Sequence, residues 1–467
     1  MNCCHSALTR RQFGLALGAV PLAAIFGEED LSAMPWNQPA TVAKLYLEGP
    51  KAYWPGPTID LAKDRAEIET RLAEVQKKHA HNVRFIDGGT IRKDEDVQPV
   101  LAKLRDADGV LMLPLTQPSP ALRATIDALP APGLFFSRPY ATHSWSAIAD
   151  MRKSGKKVDV VASTSYGDLD PYMRAFRTAR HMRRSKVLVG TEAPAGRKPI
   201  ADAFQKHFGT TFQFMGGKDL KEAFNAIAES AAQKEADQFV RGALKVMEPS
   251  QKEIRDGLRF YLAIKNIMKQ EKANAVAIDC FGTLAANTLP GYPCIAWSKL
   301  NDVGLYGVCE ADLLSTMTQM LVTSYSGMPG FVTDPAFDVS RNEVIHAHCV
   351  SATKMKGVHG PASPYIIRNH LETNEGAVLQ VLMPSNETVT VARFNGPSKM
   401  MVSTAEVTGP VDSDRGCRSQ VRTRVSDAEK WLQNYTAGLH RVMFYGDHVR
   451  DLERMGRLMG FELVREM

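Results

Sequence analysis

Three consecutive pieces, "VAKLYLEG" (42–49), "TIDLAKDRAEIETRLAEVQKKH" (58–79) and "VRFIDGG" (83–89), decide the fold. The outer two are short apolar runs of the kind that form strands, and the middle one spaces its apolar residues at helical intervals among charges. A helix around "VQPVLAKLRDA" (97–107) and the strand run "GVLMLPL" (109–115) follow, and "PALRATIDALPAPGLFFS" (120–137) repeats helix and strand. Alternation of this kind predicts a parallel sheet covered on both faces.

Working outward, a second series starts near Lys157 with "KVDVVAST" (157–164), the helix "DPYMRAFRTARHMRRS" (170–185), "KVLVGTE" (186–192) and "TTFQFMGG" (210–217), then long helices over 219–270. The run "ANAVAIDCFG" (273–282) reads as an apolar strand ending in a polar, glycine-containing turn. Ligands of open parallel sheets collect beyond the carboxyl ends of the strands, which puts Asp279, Cys280 and Asn287 in a candidate cleft, with helix capping as the plainer role for the acid. From about Lys356 the period changes. "GAVLQVLMP" (376–384), "ETVTVARFN" (387–395), "KMMVSTAEVTGP" (399–410) and "GCRSQVRTRV" (416–425) are short strands parted by Gly, Pro and Asn, which predict an antiparallel sheet or barrel, and "DHVRDLERMGRLMGF" (447–461) is a closing helix. The expected organisation is α/β: two Rossmann-like parallel-sheet domains, 41–156 and 157–355, then an antiparallel β-rich C-terminal domain, 356–467.

At 467 residues the chain exceeds one ordinary core. Its 44% hydrophobic and 23% charged residues exclude a disordered or fibrous protein. The net charge of +6 is scattered apart from "RHMRR" (180–184), which reads as a solvated helix face, so nucleic acid is not an expected partner. "TRRQFGLALGAVPLAAIFG" (9–27) places Arg10 and Arg11 before a weakly apolar Ala/Gly-rich run, the pattern of a twin-arginine export signal within residues 1–30 and a periplasmic or exported destination. Its apolar part, about 14 residues, is too short to cross ~30 Å of hydrocarbon, so no stable membrane insertion is expected. Beyond Cys3 and Cys4 the cysteines are Cys280, Cys294, Cys309, Cys349 and Cys417, an odd number without CxxC spacing, which argues against a disulfide framework. Twin-arginine export carries folded proteins, so something bound during folding in the cytoplasm is expected.

Acids punctuate the segment "CEADLLSTMTQMLVTSYSGMPGFVTDPAFD" (309–338). Glu310 is expected in the first turn of a helix over 310–327, where the helix dipole favours a carboxylate by a few tenths to ~1 kcal/mol; that suffices to explain Asp312. Asp334 is expected just after a strand "GFVT" (330–333), where cleft residues concentrate. In "NEVIHAHC" (342–349), strand alternation puts His346 and His348 on one face and Ile345, Ala347 and Cys349 on the other.

These segments, together with "AGLHRVMFYGDHVRDLERMGRLMGFEL" (437–463), resemble the L-fucose isomerase and L-arabinose isomerase superfamily. There a CEAD or GEGD segment opens a helix, an acid follows the next strand, a His-Cys or Ala-His pair comes soon after, and a Gly-x-His segment returns a histidine to the metal. The resemblance runs over roughly 41–467, with strong motifs in 273–349 and 437–451. It implies Glu310, Asp334 and His440 as ligands of Mn²⁺ or a similar divalent ion such as Mg²⁺ or Fe²⁺. His348 matches a histidine that is a ligand in the arabinose enzymes and stands behind the ligands in the fucose enzymes. The implied reaction is aldose–ketose isomerisation of a small-molecule sugar through a cis-enediol, with Glu310 and Asp334 as base and acid, in a homo-oligomer, trimer or hexamer. The N-terminal region lacks a recognisable sugar-contact motif; Tyr53, Trp54, His143 and Trp297 are candidates, each with packing or plain exposure as the competing role. Members of the family are normally cytoplasmic, so export implies a substrate met outside. Two other functions stay open: an exported carbohydrate-binding protein on the same fold, and a metal-dependent sugar epimerase or lyase.

Overall fold

The computed structural model describes residues 33–49, 56, 58–117, 121–285 and 288–467. The expected export signal, Tyr53, Trp54 and Asn287 lie outside them. The chain forms two compact units, one built from Pro35–Arg183 with Arg450–Leu463, the other from Arg184–Val449 with Val464–Met467 and Met34.

The first unit contains a five-stranded parallel sheet in the order Val83–Ile91, Ala40–Leu47, Gly109–Pro114, Gly133–Ser137, Val158–Ala162. Gly109–Pro114 and Gly133–Ser137 are buried at every position, as strands covered on both faces must be. The helix Leu61–Lys78 starts where Asp60 accepts from the N–H groups of Ala62 and Lys63, and it buries Ile68, Leu72 and Val75. Val158–Ala162 closes this sheet instead of opening the second series, because a short apolar run does not encode which sheet receives it. The basic run is not merely solvated: Arg180 and Arg183 both pair with the buried Asp108, which also accepts from the Thr41 N–H. Most of the helix Val449–Met459 belongs here too, with Arg457 Nε 2.8 Å from the buried carboxylate of Asp159.

The second unit pairs a parallel sheet with a barrel. The sheet runs Tyr306–Cys309, Ala275–Ile278, Lys186–Gly190, Thr211–Met215. Gly307 on its edge strand has no Cβ because one would lie 2.7 Å from the Trp297 ring, which is fully buried against it. The barrel is antiparallel: Glu387–Phe394, Arg441–Tyr445, Phe331–Asp338, Glu343–His348, Ser419–Arg424 and Lys399–Pro410, the last pairing back to the first. The α/β class with a β-rich C-terminal region is thus as expected, but the barrel recruits two strands from upstream of Lys356. Its inner seam is tied by Arg441 and Glu466, both fully buried, at 2.5 and 3.0 Å. Among the described residues no helix is long and apolar enough to cross a membrane.

Candidate metal centre

Glu310 leaves the edge strand Tyr306–Cys309 in an unusual conformation. Its φ is +59° and that of Ala311 is +48°, two consecutive non-glycine residues in the left-handed region, a strain that persists only where the surroundings enforce it. The enforcing bonds are visible: the Ala311 N–H reaches Ile278 O at 2.9 Å, and Arg197 donates to Glu310 O at 3.3 Å while pairing with Asp279 at 2.9 Å. The helix therefore begins later than expected, at Leu313, with Asp312 as its cap, accepting from Leu314 and Ser315 at 3.0 and 3.1 Å. Glu310 is outside the helix, and its carboxylate has no part in the helix dipole's first turn.

Asp334 also differs from expectation. It lies within the strand Phe331–Asp338, opposite Ala347, and not after the strand's end. Pairing with Arg441–Tyr445 stops at Thr333, so from Asp334 onward this strand has a neighbour on one side only, which suits Pro335 with no N–H to give.

Barrel and sheet bring four side chains together. His440 Nε2 lies 3.3 Å from Asp334 Oδ1 and 3.5 Å from Glu310 Oε2; His348 Nε2 lies 3.7 Å from Glu310 Oε1 and 3.9 Å from Asp334 Oδ2. None of these four approaches makes a well-formed hydrogen bond, and Asp334 Oδ1, His348 Nε2 and His440 Nε2 are buried without a partner. Glu310, His348 and His440 each offer a ligand atom within 4.8 Å of the others, so the group could hold a metal ion.

Hydrogen bonding distinguishes the two histidines. His440 Nδ1–H donates to Asp312 Oδ2 at 2.8 Å, so that in the neutral ring the Nε2 lone pair faces Glu310 and Asp334. His348 Nδ1 instead accepts from the Cys349 N–H at 2.8 Å, so a neutral ring carries its proton on Nε2 and points a donor at the carboxylates. Asp312 is itself held by Arg393 and by Ser315 Oγ. Burial favours the neutral carboxyl of Asp312, but the bonds from His440 and Arg393 and the Arg393 charge outweigh it and hold the pKa far below the usual range. For His440, burial opposes charge, yet Asp312 and Asp334 push the imidazole up to about 10.

The remaining expected residues have separate placements. His346 is fully buried between Thr333 Oγ1 and Thr423 Oγ1 at 3.1 and 3.2 Å, and burial holds its pKa down to about 3, a neutral core residue. Trp297 is core. His143 is exposed in the first unit, its N–H bonded to Gln117 Oε1. Asp279 caps the turn at Gly282 and pairs with Arg197, so it supports the Glu310 loop from behind. Sequence reasoning gave Asp312 only a place at the start of the helix and passed over Arg393, whose signal was a single arginine in the otherwise uncharged strand core "TVTVARF" (388–394). Arg441 also went unnoticed, although it donates to the carbonyls of Thr436, Gly438 and His440 and so fixes the segment carrying His440. A small cavity adjoins the cluster, lined by Glu310, Asp334 and His348 together with Phe281, Tyr292 and His370.

No protein-family profile matches the chain. It is similar to a sulfoquinovose isomerase from Clostridium sp. (strain MSTE9), 28% identical over 151 residues, a match spanning 31% of this chain and 32% of that protein.

Proposed function

We propose that the protein is a divalent-metal-dependent aldose–ketose isomerase acting on a sugar through a cis-enediol. The observation that carries this reading is the convergence of Asp334 Oδ1, His348 Nε2 and His440 Nε2, buried without partners, on Glu310. Each such atom costs about 1–3 kcal/mol unless something completes it. Two carboxylates and one imidazole lone pair are a donor set for Mn²⁺, Mg²⁺ or Fe²⁺, so Glu310, Asp334 and His440 would hold the ion. When bound, such an ion acts as a Lewis acid toward adjacent sugar oxygens.

The chain's own groups supply the rest. A carboxylate of Glu310 or Asp334 takes the proton from the carbon beside the carbonyl, and the other acid is placed for the proton that passes between the oxygens. His348 faces both carboxylates with its Nε2, at 3.7 and 3.9 Å. Asp312 fixes the His440 tautomer. Phe281 and Tyr292 line the same cavity and offer apolar surface to the C–H side of a sugar ring. The similarity to a sulfoquinovose isomerase supports the sugar-isomerase class. Export by the twin-arginine route is part of the proposal and rests on Arg10 and Arg11; exchanging both for Lys should leave the full-length protein in the cytoplasm.

The test is deuterium wash-in from D₂O into the substrate C–H, with Mn²⁺ present and a sugar panel, products identified by NMR. Metal-dependent wash-in together with a ketose product is expected. Absence of bound metal by elemental analysis, with no stabilisation by added Mn²⁺, overturns the reading.

A further inference from the structure

All five cysteines of the described residues line the cavity beside the carboxylates. Among them Cys280 Sγ and Cys309 Sγ are 3.0 Å apart, about 1 Å from the ~2.05 Å of a disulfide. Both are buried, at 5% and 4% exposure, and both are free thiols. Their approach is built into the sheet, since Cys309 pairs with Ile278 in parallel register and Cys280 follows two residues later. Cys309 is also the residue before Glu310, at the entrance to the two left-handed positions.

We propose that Cys280 and Cys309 form an oxidisable dithiol site, and that closing the disulfide displaces Glu310 from the cluster with His440 and His348. The co-reactant is a peroxide. One thiol attacks the peroxide O–O bond, giving a sulfenic acid and one water; the second thiol displaces the sulfenic oxygen, forming the S–S bond and releasing a second water. Both thiols are oxidised and the peroxide is reduced to water. The mechanical link is short. Drawing Cys309 toward Cys280 pulls on the backbone that carries Glu310, which is held by bonds from the Ala311 N–H to Ile278 O, the Asp312 N–H to Cys309 O at 3.2 Å and Arg197 to Glu310 O. A strained pair of residues has little room to absorb the shift without turning the carboxylate. The second half of this inference rests on the metal reading above; the first does not.

The experiment takes the full-length protein, reduced and freed of reductant, and titrates it with hydrogen peroxide. Peptide mapping should find Cys280 linked to Cys309, reversibly by dithiothreitol, and Mn²⁺ affinity should fall about 10–100-fold, the size seen when support for a metal ligand is removed. A Cys280→Ala/Cys309→Ala double variant should show no peroxide effect on Mn²⁺ affinity. A link between Cys349 and Cys417 with Cys280 and Cys309 unlinked overturns the proposal, as does a Cys280–Cys309 link with unchanged affinity. Should the reduced protein bind no Mn²⁺, the metal reading fails, and the dithiol is then judged by amide hydrogen exchange at Ala311 and Asp312: faster exchange in the linked form supports it, and unchanged exchange overturns it.

Discussion

The two units treat their carboxylates differently: Asp108 and Asp159 of the first are buried, whereas Glu310 and Asp334 of the second are partly exposed. In the first, Asp108 meets Arg180, Arg183 and the Thr41 N–H, and Asp159 meets Arg152, Arg457 and the Tyr172 hydroxyl. Every oxygen has a partner. In the second, Glu310 and Asp334 face two imidazoles across 3.3–3.9 Å, and three of the facing atoms are left unbonded. What separates the two sets is whether the bonding is complete: the first is fully paired, and the second has room for a further partner.

The strongest challenge to that contrast is substitution within the open cluster. Glu310→Gln and Asp334→Asn should each lower deuterium wash-in by about 10²–10⁴-fold, the worth of acid–base catalysis, while the melting temperature of the metal-free protein stays within a few degrees. A large loss of stability would place these residues with the saturated hubs and erase the distinction.

The converse is Asp108→Ala and Asp159→Ala. Each leaves buried or half-buried guanidinium groups unmatched and should cost about 3–5 kcal/mol, read from urea midpoints. A cost below ~1 kcal/mol would mean that the arginines escape to water.

Between the extremes lies Asp312, saturated like the hubs yet bonded to His440. Asp312→Asn keeps the helix cap and weakens the charge on the imidazole, so Mn²⁺ affinity measured by calorimetry should drop about 10–100-fold, with recovery at high Mn²⁺. Unchanged affinity would remove Asp312 from the support of the metal.

The smallest effect concerns Asp170 in the first unit. Burial favours its neutral form, but hydrogen bonds from Lys78 and His79 hold its pKa below the usual range. Its contribution is fully present above the unfolded value of about 3.9 and is lost as pH falls through the folded value. Asp170→Asn should therefore cost up to ~1 kcal/mol near neutrality, and the gap to the parent should shrink below about pH 4.

The alternation of strand and helix made the parallel sheets legible, and Gly/Pro-parted short strands made the antiparallel region legible, because both depend on local periodicity. Sheet membership is a long-range choice, and nothing in "KVDVVAST" (157–164) states which neighbour accepts it. At the site, the motif resemblance pointed to Glu310, Asp334 and His440, whereas Asp312, Arg393 and Arg441 act through side-chain bonds spanning distant segments and leave no periodic trace. The late helix start was hidden because left-handed residues are usually signalled by Gly or Asn, and here they are Glu and Ala.

The buried pair of Arg441 and Glu466 has a bearing on how the protein is made. Arg441 bonds both the carbonyls around His440 and the Glu466 carboxylate, and Glu466 follows Glu310, Asp334, His348 and His440 in the sequence. As the chain grows on the ribosome, the earlier parallel sheets can settle in turn. The bonds from Arg441 to Glu466 therefore form only after Glu466 has emerged, later than the parallel sheets that precede it in the sequence.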